Sequence, residues 1–371
     1  MAKRLPVTVI TGFLGAGKTT VLRHLLTHGG QRLAVMVNEF GSVGLDGDLI
    51  RSCGFCPEEE VDGRLVELNN GCLCCTVQDD FLPTMETLLE RADQLDGIVV
   101  ETSGLALPRP LLQALDWPAI RSRVYVNGVV TLVDGEALAA GSPVADAEAL
   151  ERQRAEDPSL DHLTAIDDLF EDQLQAADLV LISRADCLDA SAMAEVQGRI
   201  KDKVRPGTAL LPVSQGQVET SVVLGLEHKP TPQEAHTHHD NHHDHHDHDH
   251  HDHSHVDIVG SNVRVEGAFD RQALEQLLPS LVSNHQVVRL KGRVWLPSKT
   301  LPLQIQMVGP RLNSWFEAAP SHAWRPDQGC GADLVVLALN EAAAPALESG
   351  LQRLVQATPA KASPAAATPE S

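Results

Sequence analysis

Positive charge is in short supply. The 371 residues carry 29 Lys and Arg against 51 Asp and Glu, a formal net charge of −22. Nucleic-acid binders leave a basic patch as their footprint, so this balance argues against such a partner. Long hydrophobic runs are missing too: no apolar stretch approaches the roughly 18–20 residues that a membrane-spanning helix needs. No secretory signal pattern is visible, because Met1-Ala2-Lys3-Arg4 leads straight into a β-rich segment. The expectation is a cytoplasmic chain with neither nucleic acid nor membrane as partner. Hydrophobic residues make up 43% of the chain, ample for cores, and the length suits one large or two ordinary domains. The seven cysteines are Cys53, Cys56, Cys72, Cys74, Cys75, Cys187 and Cys330. In a reducing compartment, clustered cysteines favour metal or redox chemistry over disulfides.

The stretch Gly12-Phe13-Leu14-Gly15-Ala16-Gly17-Lys18-Thr19 reads G-x-x-x-x-G-K-T, the phosphate-binding P-loop pattern. Its flanks suit the motif. Leu5 to Thr11 reads as a buried strand, and Val21, Leu22, Leu25 and Leu26 follow at helical spacing. Glycines let backbone N–H groups turn inward around a phosphate, and the positive helix end adds a field of the right sign. Lys18 is expected on the β- and γ-phosphates and the Thr19 hydroxyl on Mg²⁺. The sequence therefore implies a nucleoside-triphosphate site.

Further strands are expected at Leu33–Val37, Arg64–Leu68, Gly97–Val100, Val129–Asp134, Leu179–Ile182 and Thr208–Ser214, with an amphipathic helix over Phe81–Ala92. Strands alternating with helices behind a P-loop predict an α/β fold: a mostly parallel sheet with helices on both faces, ending near residue 226. Polar residues just past strand ends fall where such sheets bind ligands. That singles out Asn38-Glu39-Phe40-Gly41 with Asp46, and Glu101-Thr102-Ser103-Gly104. Glu101 would hold the water shell of the metal or orient the attacking water. The Gly104 N–H would sense the γ-phosphate.

Ser183-Arg184-Ala185-Asp186 stands where GTPases carry N-K-x-D. Asp186 is in place to pair with guanine, and Arg184 can stack on the base at least as well as Lys. Ser183 replaces Asn and removes one amide bridge.

Asn69-Asn70-Gly71-Cys72-Leu73-Cys74-Cys75-Thr76 packs three thiols into four residues. Apolar packing does not explain that density, whereas thiolates suit Zn²⁺, with Co²⁺ an alternative in similar geometry. With Cys53 and Cys56 the spacing becomes C-x2-C-x15-C-x-C-C, near a four-cysteine zinc pattern. A closed cage from both pairs and an open site from the cluster alone both fit. The open site is favoured, since a closed cage would hold metal too firmly to pass on.

Between His236 and His255 stand twelve histidines interleaved with Asp. Such a tract builds no core and reads as a flexible linker over 227–256 that gathers divalent ions weakly. Beyond it, 257–345 reads as a small α+β domain with a helix capped by Asp270, and 346–371 as an Ala/Pro-rich tail, disordered at its end.

GFLGAGKTT, VNEFG, GCLCC, ETSG and the His-rich linker together resemble the CobW group of P-loop GTPases, related to the nickel-handling GTPases of hydrogenase and urease maturation. The resemblance covers most of residues 5–340. ETSGLALP, WPAIRSRV, DPSLDH, FEDQ and WRP are similar to the branch linked to aerobic cobalamin synthesis. This resemblance implies a SIMIBI-type GTPase fold and a GTP-dependent metallochaperone with Co²⁺ as cargo and a metal-receiving client such as a cobalt chelatase. Gly12, Gly15, Ala16, Gly17, Lys18, Thr19 and Thr20 match its nucleotide loop, and Cys72, Cys74 and Cys75 its cargo motif. Ser183-Arg184 departs from the family's Asn-Lys. A zinc-handling GTPase, or a metal reservoir or sensor with a mainly structural nucleotide site, is the rival reading, and a small-molecule kinase the third.

Overall fold

A computed structural model describes residues 4–37, 65–67, 81–146, 148–150, 152, 165–225, 258–321 and 323–357, and divides the chain into two units between Val256 and Asp257. No described helix is long and apolar enough to cross a membrane.

The first unit is α/β. Its strands are β1 (Leu5–Gly12), β2 (Leu33–Val37), β3 (Leu65–Glu67), β4 (Gly97–Glu101), β5 (Val124–Asp134), β6 (Leu179–Ser183) and β7 (Ala209–Pro212), in the spatial order β3-β2-β4-β1-β5-β6-β7. Every neighbouring pair is parallel. Parallel sheets are covered on both faces, and the sequence shows it: β1, β4 and β6 are buried at every position. Helices α1 (Lys18–His28), α2 (Leu82–Glu90), α3 (Pro108–Leu115), α4 (Gly135–Ala139), α5 (Ile166–Ala176), α6 (Ala190–Lys201) and α7 (Thr220–Leu224) supply the cover. Met85, Leu88 and Leu89 of α2 and Leu111 and Leu115 of α3 close over Val7, Val9 and Val100. In a separate cluster, Phe170 and Leu174 of α5 and Val196 and Ile200 of α6 meet Val180 and Ile182. Each such side chain, fully buried, contributes on the order of 1.5–3 kcal/mol.

Strand β5 begins five residues before the apolar run that announces it. Asn127 breaks the pattern, yet it is buried: its amide donates to Thr8 Oγ1 at 2.8 Å and to Leu224 O at 2.8 Å. A satisfied polar group inside a strand leaves no apolar signal. The parallel arrangement sends β1, β4, β5 and β6 out at one edge, where their carboxyl ends carry the loops that matter below.

The second unit is an antiparallel sheet of β8 (Val259–Glu266), β9 (Val287–Trp295), β10 (Leu303–Val308), β11 (Arg311–Phe316) and β12 (Gly331–Ala338), in the order β11-β10-β9-β12-β8. Helices α8 (Arg271–Asn284) and α9 (Ala343–Ala357) bury Leu274, Leu278, Leu347 and Leu351 in one cluster with Leu290, Ile305 and Leu334. Asp270 caps α8 by accepting from Ala273 N at 2.9 Å, as its sequence position predicts. Two differences from the sequence reading stand out. β11 is an edge strand whose six residues are all half-buried, so no alternation marks it. Helix α9 runs twelve residues beyond position 345, because Leu347, Gly350 and Leu351 recur at helical spacing and are buried.

Candidate nucleotide site

The loop between β1 and α1 is held by steric necessity. Gly12 has φ +137°, and a Cβ there would sit 2.3 Å from Leu132 O on the neighbouring strand. Only glycine passes β5 that closely with that backbone. Gly15 and Gly17 also have positive φ, 77° and 95°. Helix α1 starts at Lys18 without a side-chain cap, so the N–H groups of its first turn have no capping side chain and face the loop. The Lys18 side chain is buried and folds back over the loop, donating to Gly12 O at 2.9 Å and Phe13 O at 3.1 Å. Ala16 is buried, while Thr19 is half-buried and Thr20 exposed.

β4 delivers the acidic partner. It pairs with β1 so that Glu101 lies beside Ile10. Glu101 is 3% exposed, and its Oε1 accepts from Thr19 Oγ1 at 3.4 Å. One residue on, Thr102 N donates to Ile10 O at 2.9 Å and Thr102 Oγ1 donates to Thr11 Oγ1 at 2.9 Å, both inside the sheet edge. Gly104 then lies against the loop: a Cβ on it would fall 2.5 Å from Leu14 N. Lys18, Thr19, Glu101 and Gly104, separate in sequence, are thus brought together.

Two residues that the sequence reading passed over brace this edge. Gln173 of α5 is 1% exposed and donates from Nε2 to Gly104 O at 3.1 Å and Ala106 O at 3.4 Å, while its backbone carbonyl accepts from Thr131 Oγ1 at 3.2 Å. The signal was present: Gln173 stands on the buried stripe of Leu169, Phe170 and Leu174, where an amide is out of place unless it holds something. Asp134, the last residue of β5, is the other. It is 2% exposed, caps α4 by accepting from Ala137 N at 3.1 Å, and lies 2.7 Å from an Arg184 guanidinium nitrogen.

At that second end, Ser183 closes β6 and donates from Oγ to Val133 O at 3.2 Å. Arg184 adopts the left-handed conformation, φ 54°, and reaches Glu136 at 3.6 Å besides Asp134. The turn Ala185–Cys187 carries Asp186 outward to solvent. Gly17 joins the two ends, since a Cβ on it would lie 3.6 Å from Ser183 Cβ. The phosphate loop and the Ser183–Asp186 element therefore line one cleft. Its glycines, buried lysine and hydroxyl–carboxylate pair fit a nucleoside triphosphate with Mg²⁺.

Asn38–Gly41, Asp46, Cys53, Cys56, Cys72, Cys74, Cys75 and the His-rich stretch 236–255 lie outside the described residues. Among the described residues no group of three or more His, Cys, Asp or Glu converges on a point.

Residues 6–212 match the family described as CobW/HypB/UreG, nucleotide-binding domain, and residues 258–355 match the cobalamin synthesis protein cobW C-terminal domain. The zinc chaperone CobW of Pseudomonas aeruginosa is 47% identical over 342 residues, 90% of this chain and 87% of that protein. The zinc chaperone CobW of a Sinorhizobium species is 41% identical over 359 residues, 95% and 98% of the two chains. The zinc-regulated GTPase metalloprotein activator 1 of Schizosaccharomyces pombe is 43% identical over 134 residues, 35% of this chain and 32% of that protein.

Proposed function

The chain belongs to the CobW/HypB/UreG family, and from that premise we propose that it is a metal chaperone driven by GTP hydrolysis. The observation that carries the hydrolase half is the meeting of Lys18, Thr19 and Glu101 at the carboxyl ends of β1 and β4. Lys18 leaves its two loop carbonyls to neutralise the β- and γ-phosphates. Thr19 would hold Mg²⁺ directly and Glu101 its water shell; bound there, the ion offsets charge on the phosphate oxygens. Gly104 offers its N–H to the γ-phosphate, with Gln173 keeping the loop in reach.

Guanine is the proposed base. Asp186 accepts from its N1 and N2 groups, and the stem of Arg184, a side chain 41% exposed with its head tied to Asp134, covers the ring.

Zn²⁺ is the proposed cargo, held by thiolates of Cys72, Cys74 and Cys75, which release protons on binding. The names of the two long-range relatives favour zinc over the cobalt expected from the cobalamin resemblance. Co²⁺, with a cobalt chelatase as client, is the second reading. The segment with Cys72, Cys74 and Cys75 follows β3 and precedes α2, between Asn38–Gly41 and Glu101–Gly104 in sequence. Ordering of these two segments by GTP would gather the thiolates, and hydrolysis would let them part and pass the ion to a client protein.

Turnover of GTP and of ATP by the full chain tests this reading. GTP hydrolysis that disappears in Lys18→Ala supports it. Absence of turnover leaves a reservoir or sensor with a structural nucleotide site, and transfer of labelled γ-phosphate to an acceptor other than water makes the chain a kinase.

A further inference from the structure

The motif Trp324-Arg325-Pro326 takes no part in the chemistry above. It lies between β11 and β12 of the second unit. Trp324 meets Trp295 of β9 edge-on, with ring centroids 5.7 Å apart and planes at 79°. The Arg264 guanidinium stands 5.6 Å from the centre of the Trp324 ring. Gly331 lets the loop come this close, since a Cβ on it would lie 2.8 Å from Pro326 Cβ and 3.2 Å from Trp324 Cη2.

This corner belongs to the sheet face turned away from α8 and α9. Val263, Leu290, Val294, Ile305 and Leu334 pack in the cluster with those helices, so alternation puts Arg264, Arg293, Trp295 and Asp333 on the other side. Register sets Asp333 beside both Arg264 and Arg293, and Gln304 beside both Arg293 and Trp315. The donors here are of two kinds, guanidinium and indole, and each kind is met once by a carboxylate. Arg264 Nε donates to Asp333 Oδ1 at 2.8 Å, and Trp315 Nε1 donates to Glu317 Oε2 at 2.9 Å.

Arg293 and Trp295 lack that acceptor. Arg293 Nε and Trp295 Nε1 are both buried with no hydrogen-bond partner, and Trp295 as a whole is only 9% exposed. The two residues share one face of β9, about 7 Å apart along the strand. Asp333 is taken by Arg264, and Arg293 forms no ion pair among the described residues. Burying a donor without an acceptor is costly, more so when it belongs to a cation. A chain of net charge −22 thus keeps an unmatched arginine beside an unmatched indole N–H.

We propose that Arg293 and Trp295 bind a carboxylate supplied by an acidic segment of a partner polypeptide. Both groups are donors only, which calls for an acceptor. One unmatched charge, with Asp333 alongside, suits a singly charged carboxylate better than a phosphate dianion. Arg293 is half-buried, so solvent reaches the guanidinium. Trp324, half-buried and carried by a loop, is the side chain that yields as the ligand enters. Exposed cations flank the pair: Arg264 and Lys291 on the same face, and Arg325 next to Trp324. Val335, 50% exposed, sits beside Lys291 in register and offers apolar contact. Several cations around one exposed valine fit a peptide carrying several acids rather than a lone small acid.

The test is the indole N–H spectrum of the full chain labelled with ¹⁵N-tryptophan, recorded without nucleotide. The four tryptophans give four resonances, assigned by single Trp→Phe replacements. Hexaglutamate should move the Trp295 resonance downfield and saturate, while Trp117 in the first unit stays put. Acetate at equal carboxylate concentration should bind about tenfold or more weakly, and sodium chloride at matched ionic strength should do nothing. Arg293→Gln removes a side chain with no partner to lose, and should weaken hexaglutamate about tenfold or more. A Trp295 resonance that hexaglutamate leaves unmoved overturns the proposal, including the case in which a carboxylate of the chain itself already fills the place. A shift undiminished in Arg293→Gln, or reproduced by sodium chloride, overturns it as well. Acetate as tight per carboxylate as hexaglutamate overturns the polypeptide partner, and inorganic phosphate tighter than either overturns the carboxylate. The wild-type arms stand without Arg293→Gln, and none of them depends on the GTPase reading.

Discussion

The two ends of the nucleotide cleft are built by different means. At the phosphate end, backbone does the work: Gly12 passes Leu132 with no room for a Cβ, and the uncapped start of α1 faces the loop. At the base end, side chains do it: Arg184 is held by Asp134, and Ser183 is tied to Val133. Backbone-built sites tolerate little substitution: Gly12 has no room for a Cβ, and Gly15 and Gly17 hold positive φ. Side-chain-built sites can be rebuilt with other residues, and here Ser183-Arg184 replaces the usual pair. The contrast predicts a steep fall in the cost of mutation from one end of the cleft to the other.

Gly12→Ala should have the largest effect. The φ of +137° alone costs about 1–3 kcal/mol, and the clash with Leu132 adds to it. The expected outcome in a thermal melt is loss of the cooperative transition of the first unit, and a wild-type melting profile would contradict a backbone-built phosphate end. Lys18→Ala should leave the fold intact while GTP turnover falls by about 10²–10³-fold, the usual cost of removing one pre-aligned charge donor. Gln173→Leu removes the amide donor to Gly104 O and Ala106 O, and leaving a buried acceptor unsatisfied costs about 1–3 kcal/mol. A lower melting temperature together with weaker binding of a non-hydrolysable GTP analogue would show that the brace serves the nucleotide loop; a stability loss with unchanged affinity would confine it to packing. Asp134→Asn keeps the cap on α4 but removes the buried charge that holds Arg184, leaving it only the exposed Glu136. The preference for GTP over ATP should narrow by about tenfold, the worth of one charge-assisted hydrogen bond, and an unchanged preference would mean that the base end does not depend on that anchor.

The same contrast explains what could be read from the sequence. Gly12 to Thr19 announces itself because its geometry admits few residue types, and strands β1, β2, β4 and β6 because parallel strands buried on both faces need unbroken apolar runs. Glu101 was legible as an acid just past such a run. Asp134 looked like a strand end, since nothing in spacing tells which arginine a buried carboxylate meets. Gln173 was hidden by distance: it holds a loop 69 residues away in the chain. Asn127 and β11 were missed for a related reason, because a satisfied buried amide and a half-buried edge strand both blur the periodicity that marks a strand.

The central claim is that the occupant of the phosphate cradle sets the grip on the metal. Competition of the full chain against a chromophoric chelator for Zn²⁺, run once with a non-hydrolysable GTP analogue and once with GDP, measures it directly. Tighter Zn²⁺ retention with the GTP analogue, abolished by Cys74→Ser, is the predicted result. Equal retention in the two nucleotide states would contradict it.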